Sequence, residues 1–459
     1  MQSRWRRMTS RVLAILVVLV VLAGVGGYWY VRPLLLTGTG YAAHNACATT
    51  FVAGRSAGVT DDLPPNPLVP HLRTALSMTD RSASTTLTAG RARRQAWFWP
   101  GYGCTLADTP PPQTPRVPVT PVGPGLQTPD AAALAAAGLD GETLDAALAR
   151  AFGDDLDTDG AAALGTRGVV VLHRGRLVAE RYAEGFSSQT PQLGWSMAKS
   201  VTNLMVGRLE LQGKITVTDD HLLPSWTDER AAITVDDLMR MTSGLRWDET
   251  YDLGTPITEM LYLREDMAAF AASQPLAHDP GSHQQYSSGS TNILCSVLRR
   301  RTGSGPDLPY RQLLAPLGVT SAVWEPDASG TTVCSSYLWA TPRDWALIGQ
   351  FALANGRRDG TQLLPGDWMA RSTRLEPVAT SEERGYAAGW WVNRLADGSL
   401  AWPAMPADAY WASGHDGQRL VVVPSADLVV VRLGFSPSIE AADLRIDTLV
   451  RDVVAATSR

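Results

Sequence analysis

The chain has 459 residues, with 40 Lys and Arg against 45 Asp and Glu, and its net charge of −5 lacks the basic footprint of a nucleic-acid binder. Its seven histidines show no His-Glu-x-x-His or comparable ligand spacing, which argues against a metallohydrolase, and no phosphate-cradling glycine loop precedes a helix. The length leaves room for one sizeable α/β unit from about Asp140 onward.

At the N-terminus, Arg4, Arg6, Arg7 and Arg11 precede an uncharged run over residues 12–31, about the length that spans a bilayer. The arginines of residues 1–11 are expected to stay in the cytoplasm, with the rest of the chain exported. Tyr28, Trp29 and Tyr30 suit the far interface. The competing reading is a cleaved signal peptide, with Val21-Leu22-Ala23 as a small-residue site before Gly24. Because the apolar run continues past that point, a single-pass anchor is favoured. The bulk of the chain is then periplasmic or otherwise extracytoplasmic on an inner membrane, and secreted in the alternative.

Residues 32–128 are read as an extracytoplasmic extension ending in a proline-rich, semi-rigid spacer over 109–129, with the main unit at 129–459. The first part, 32–108, has few periodic elements, and the sequence assigns it no role. Four cysteines in an exported chain invite pairing. Cys47 and Cys104 both lie in the extension and are the candidate disulfide. Cys295 falls on an apolar helix face and reads as packed, with Cys334 unassigned.

A helix is expected over 141–152. The Asp155-to-Gly160 stretch matches the first half of a calcium loop, yet its twelfth position is Thr166, where a bidentate glutamate is needed. A polar turn is expected there, and neither metal nor cofactor is assigned. Next, the apolar runs at 168–172 and 177–182 flank His173-Arg174-Gly175-Arg176, a β-hairpin with glycine in its turn. After a polar loop, Trp195 leads into Ser196-Met197-Ala198-Lys199 and the helical pattern of Val201, Leu204, Met205 and Leu209, stopped by Gly213. One helical turn puts Ser196 and Lys199 on the same face, with Ser196 at the mouth where backbone N–H groups are free. Further on, Pro280-Gly281 opens a polar loop through Tyr286 and Ser288 into a helix carrying Ile293, Leu294, Val297 and Leu298. Runs at 386–394, 410–423 and 427–433 read as strands, and Leu444, Leu449, Val450 and Val453 as a final helix.

With these motifs in order, the chain resembles the serine β-lactamase and penicillin-binding-protein superfamily, in its branch of esterases, D-amino-acid peptidases and aminohexanoate-dimer hydrolases, over roughly residues 140–455. Thr242-Ser243-Gly244-Leu245, Ala315-Pro316-Leu317-Gly318 and Ala340-Thr341-Pro342 match secondary phrases. The resemblance implies an α/β, β-lactamase/transpeptidase-like fold: an antiparallel sheet flanked by helices, a mainly helical lobe over 197–350, and the site at their junction. It implies Ser196 as nucleophile, Lys199 as base and Tyr286 as the tyrosine of the second motif. Ser288, His415, Gly417 and Gln418 are implied around the oxyanion and substrate, with one oxyanion N–H from Ser196 and another near Gln418.

Two positions depart from penicillin-recognising members: Ser288 stands where asparagine is common, and His415 where lysine is. Trp195, Trp247, Tyr251, Trp390, Trp391 and Trp411 lie in or near the site loops as possible pocket walls. The expected activity is hydrolysis of a small-molecule or peptide amide or ester through an acyl-enzyme. A D,D-peptidase or β-lactamase-like activity is the alternative, and a non-catalytic binding module is the reading of another class.

Overall fold

The computed structural model describes residues 2–55, 62–64, 66–87, 90–112, 116, 126 and 139–457, with only the helical backbone at 2–10 and 12. Most of the proline-rich spacer, 113–115, 117–125 and 127–129, lies outside the described residues.

The N-terminal apolar run is the first part of a single 50-residue helix, α1 (Gln2–Phe51). A stretch within it has a mean hydropathy of 2.2 and no buried residue, long and apolar enough to cross a membrane. The last turns differ. Ala42, Ala43, Ala46, Cys47 and Ala48 are buried, their small side chains letting α1 lie close against a four-stranded antiparallel sheet. Its strands are β1 (Leu72–Ser77), β2 (Ser82–Leu87), β3 (Arg91–Trp99) and β4 (Gly103–Leu106), paired in chain order.

The extension is thus a lobe with its own sheet, bound tightly to the main unit. A disulfide joins Cys47 to Cys104. The fully buried Glu325 meets His44 Nε2 at 2.7 Å and accepts the Cys104 amide at 2.6 Å and the Trp339 indole at 3.2 Å. A buried carboxylate is costly unless its oxygens are satisfied, and here donors from both lobes converge on it.

The main unit opens with α2 (Gly141–Phe152), N-capped by Asp140 and stopped by Gly153 at φ 76°. In the half calcium motif, Asp157 caps α3 (Thr158–Leu164) and Asp155 pairs with Arg445 at 2.6 Å. The hairpin β5 (Thr166–His173) and β6 (Arg176–Tyr182) turns through Arg174 and Gly175, both at positive φ. The helical lobe follows, with α4 (Met197–Leu211), α5 (Val235–Arg240), α6 (Pro256–Leu263) and α7 (Ser288–Thr302). In it Cys295 is disulfide-bonded to Cys334, a correction to the expectation that it is only packed.

The chain then returns through α8 (Pro342–Leu353) to β7 (Trp391–Val392), β8 (Tyr410–Gly414), β9 (Gln418–Val423), β10 (Leu428–Gly434) and α9 (Ile446–Thr457). The six-stranded sheet has the order β7-β8-β9-β10-β5-β6 and is antiparallel throughout. Its strands read as near-continuous apolar runs because both faces are covered. Val169, Val171, Leu428 and Val430 face α2 and α9, whereas Val170, Leu172, Val429 and Val431 face the larger core of α8 and the helical lobe.

Two expected strands are corrected. The run 410–423 is two strands, because Asp416 at φ 54° and Gly417 at φ 89° reverse the chain between β8 and β9. The run 386–394 adds only Trp391 and Val392 to the sheet, with Gly389 at φ 78° just ahead of them.

Candidate active site

Ser196 sits where the loop after the first hairpin enters α4. Gly194 has no room for a side chain, since a Cβ there would stand 2.1 Å from the Trp345 ring, and Trp195 then adopts φ 48°. Left-handed backbone at a bulky residue costs on the order of 1 kcal/mol and is held here by packing. The Trp195 indole lies edge-on to Tyr41 at 6.2 Å and to Tyr251 at 6.0 Å. Ser196 is left half-buried at the helix entrance, and Lys199 is buried one turn on.

Lys199 Nζ lies 2.9 Å from Ser196 Oγ, 2.8 Å from Ser288 Oγ and 3.2 Å from the Ser335 carbonyl. Behind Ser288 stands Glu249, which accepts both the Ser288 hydroxyl and, at 2.9 Å, the Ser288 amide. Its carboxylate also accepts the Trp247 indole at 2.5 Å and lies 4.0 Å from Lys199 Nζ. These contacts fix the proton positions. A carboxylate only accepts, so Ser288 spends its proton on Glu249 and must accept from Lys199. The Ser335 carbonyl takes a second lysine N–H, and the remaining position on Nζ faces Ser196. A neutral amine places its lone pair there.

Burial brings the Lys199 pKa down from 10.5 to about 8, with the Glu249 charge opposing part of that fall. The Tyr286 ring lies against the same amine, with Lys199 Nζ 4.6 Å from its centroid. Burial, and then the Glu249 charge, push the Tyr286 pKa well above 10, so the phenol keeps its proton. The site therefore sets a depressed amine beside a protonated phenol. Glu383, near Tyr286, is raised to about 7 by burial and by the Glu382 and Glu249 charges.

His415, Gly417 and Gln418 form the wall opposite. Gly414 abuts the nucleophile loop so closely that a Cβ would lie 2.2 Å from the Gly194 carbonyl oxygen. His415 is half-exposed, its ring stacked on Tyr251 at 4.3 Å and 5.7 Å from Trp195. Gly417 and the Gln418 side chain pack onto the neighbouring strand β10. Gln418 Nε2 donates to the Gly434 carbonyl at 2.6 Å and its Oε1 accepts the Gly434 amide at 3.0 Å, which locks the turn to β10. Gly417 makes way for the buried Arg432, whose guanidinium donates to its carbonyl at 2.8 Å. A Cβ on Gly417 would stand 2.4 Å from that guanidinium.

Of the aromatic positions, Trp195, Tyr251 and Trp391 border the site. Trp390 is buried against Asn203, and Trp411 belongs to the core on the other sheet face. Sequence reasoning missed Glu249, Ser335 and Tyr41. Glu249 carried a signal: it follows the Thr242-to-Leu245 turn, and a serine in place of asparagine at 288 leaves an amide's work undone.

A serine, a lysine one turn later and a tyrosine from the loop before α7 meet at the edge of a helix-flanked antiparallel sheet. The Beta-lactamase family model matches residues 146–454, and the chain belongs to that family of serine hydrolases. The fold is shared with a Bacillus anthracis protein provisionally described as a 6-aminohexanoate-dimer hydrolase, at 22% identity and TM-score 0.54, covering 66% of this chain and 81% of that one. A penicillin-binding-protein homolog from Caulobacter crescentus is similar at 16% identity and TM-score 0.53, covering 70% and 99%. EstCE1, a hydrolase with promiscuous acyltransferase activity, is similar at 17% identity and TM-score 0.54, covering 68% and 98%. No curated protein matches the chain at a significant level.

Proposed function

We propose that the protein is a membrane-anchored hydrolase that cleaves amide or ester bonds through an acyl-enzyme on Ser196. The observation that carries this reading is the set of contacts on Lys199 Nζ, with Ser288, held by Glu249, and the Ser335 carbonyl as two partners and Ser196 Oγ at 2.9 Å as the third.

In the first half-reaction neutral Lys199 takes the Ser196 proton as Oγ bonds to the substrate carbonyl carbon. The tetrahedral oxyanion is received by the Ser196 amide and by the amide of His415, which Gly414 brings beside the nucleophile loop. As the carbon–oxygen or carbon–nitrogen bond breaks, a proton passes through the Tyr286 hydroxyl to the leaving group, and Tyr286 is replenished from Lys199. Water repeats the sequence on the acyl-enzyme, releasing the acid and free Ser196. Tyr286 acts as a proton relay and not as a standing phenolate, because burial keeps it protonated.

The exposed apolar part of α1 supports an anchor in the inner membrane, with Arg4, Arg6, Arg7 and Arg11 on the cytoplasmic side and the main unit outside. Purified full-length protein, assayed with p-nitrophenyl esters and anilides, tests the activity. Turnover that disappears in Ser196→Ala and falls by several orders of magnitude in Lys199→Arg is the expected result. No turnover by folded wild-type protein on either class overturns the reading.

A further inference from the structure

The helix carrying the exposed apolar segment is the same helix that walls the site. Past the aromatic cluster of Tyr28, Trp29 and Tyr30, with Arg32 over the Trp29 ring, α1 continues unbroken to Gly38 and Tyr41. Eight residues separate Tyr30 from Gly38, a rise of about 12 Å at 1.5 Å per residue. A bilayer's headgroup layer takes up roughly half of that distance.

Gly38 and Tyr41 line a pocket with Leu68, Leu72, Leu253 and His415, enclosing about 550 Å³ including its open mouth. Its inner end is His415, stacked on Tyr251 beside Trp195, the residue before the nucleophile. One turn before Gly38 on the same helix, Leu34 is 38% exposed and packs against Gly254, the neighbour of the lining residue Leu253. The pocket therefore lies between the turns of α1 that follow the apolar segment and the Tyr251–His415 pair that packs beside Trp195, and most of its lining is apolar.

We infer that the substrate is an amphiphile drawn from the bilayer, an ester or amide whose apolar chain occupies this pocket while its carbonyl meets Ser196. The inference rests on the hydrolase reading above. A polar substrate arriving from solution gains nothing from an apolar channel at the foot of a membrane helix. A lipid-like chain leaves the bilayer for a surface of similar polarity, over a distance its own length spans. The extension of residues 32–108 thereby acquires a purpose, since α1 and the segment before β1 supply one side of the channel.

The test uses the full chain reconstituted in phosphatidylethanolamine/phosphatidylglycerol vesicles, with p-nitrophenyl acetate and p-nitrophenyl decanoate as probes. The decanoate-to-acetate ratio of kcat/KM is expected to exceed one hundred in the wild type. It is expected to fall at least tenfold in Leu68→Glu and in Leu253→Glu, each shown to be folded by circular dichroism. Since membrane partitioning of the decanoate is common to all variants, the drop isolates the pocket. Ser196-dependent acetate hydrolysis with a ratio near one, or a ratio that neither substitution moves, overturns the inference and leaves the hydrolase reading intact. Failure to hydrolyse either ester overturns the inference, and the hydrolase reading falls with it only when the anilides are not turned over either.

Discussion

Glu249 accepts the hydrogen bond of the Ser288 hydroxyl and so leaves that serine as an acceptor for Lys199. A serine in place of a longer amide is too short to orient the lysine unaided, and the carboxylate behind it completes the work. Glu249 has two separable effects. It positions Ser288, and its charge raises the Lys199 pKa against the larger lowering by burial.

Glu249→Gln removes the charge and leaves an amide that can donate as well as accept. The expected outcome is a ten- to hundredfold loss in kcat/KM together with a downward shift of the acidic limb of the pH profile, since the charge that raised the lysine pKa is gone. A purely structural role for Glu249 predicts lost activity with the limb unmoved. Steady-state kinetics across pH 5–10 separates the two.

In the wild type, kcat/KM is expected to rise with pH and level off above about 8, as Lys199 loses its proton. The Tyr286 pKa lies well above 10 and imposes no descending limb in that range. Lys199→Arg keeps a cation that never becomes a base, so a loss of several orders of magnitude at every pH is expected. Near-normal turnover by this variant, once shown to be folded, removes Lys199 from the role of base.

The same buried amine costs stability. Its folded pKa, about 8, lies below its unfolded value of 10.5, so the folded state resists protonation. At 1.36 kcal/mol per unit the penalty is about 3 kcal/mol, present in full below pH 8 and gone above pH 10.5. Lys199→Met should therefore be inactive and more stable than the wild type at pH 7, with the difference narrowing towards pH 10.5. Denaturant unfolding at the two pH values measures it.

Substrate class turns on His415. A β-lactam carries a carboxylate beside its reactive ring, and a fixed lysine cation would hold it where a histidine stacked on Tyr251 offers no permanent charge. Esters or small amides are expected to show higher kcat/KM than benzylpenicillin or a cephalosporin. His415→Lys should narrow the gap by up to about tenfold, given the Coulomb energy of an exposed pair. A wild type that prefers β-lactams reverses the assignment.

What the sequence made legible follows from how local each signal was. The Ser196–Lys199 spacing, the hairpin glycine and the two-sided apolar strands are short-range patterns, and each reads directly from the chain. The turn at 415–417 was hidden because apolar residues on both sides imitate one continuous strand, and only Asp416 and Gly417 at positive φ reveal the reversal. At Gly417 and Gln418, glycine and a polar neighbour suggest close approach to a ligand, but nothing local shows what holds the two in place. Their partners, Arg432 and Gly434, come from the next strand. Glu249 and Tyr41 reach the site from other elements, so their placement depends on tertiary packing that no spacing rule encodes. The wall built by α1 was the least visible, since an apolar leader gives no sign that its last turns will fold onto an active site.

An activated Ser196 is open to covalent capture. Full-length protein in mild detergent is treated with a fluorophosphonate, digested, and read by peptide mass spectrometry, alongside Ser196→Ala. A single phosphonyl adduct is expected on the Ser196 peptide, forming faster as pH rises through 8, and none in the variant. Undiminished labelling of Ser196→Ala, or an adduct confined to another serine, contradicts the role of Ser196 as nucleophile.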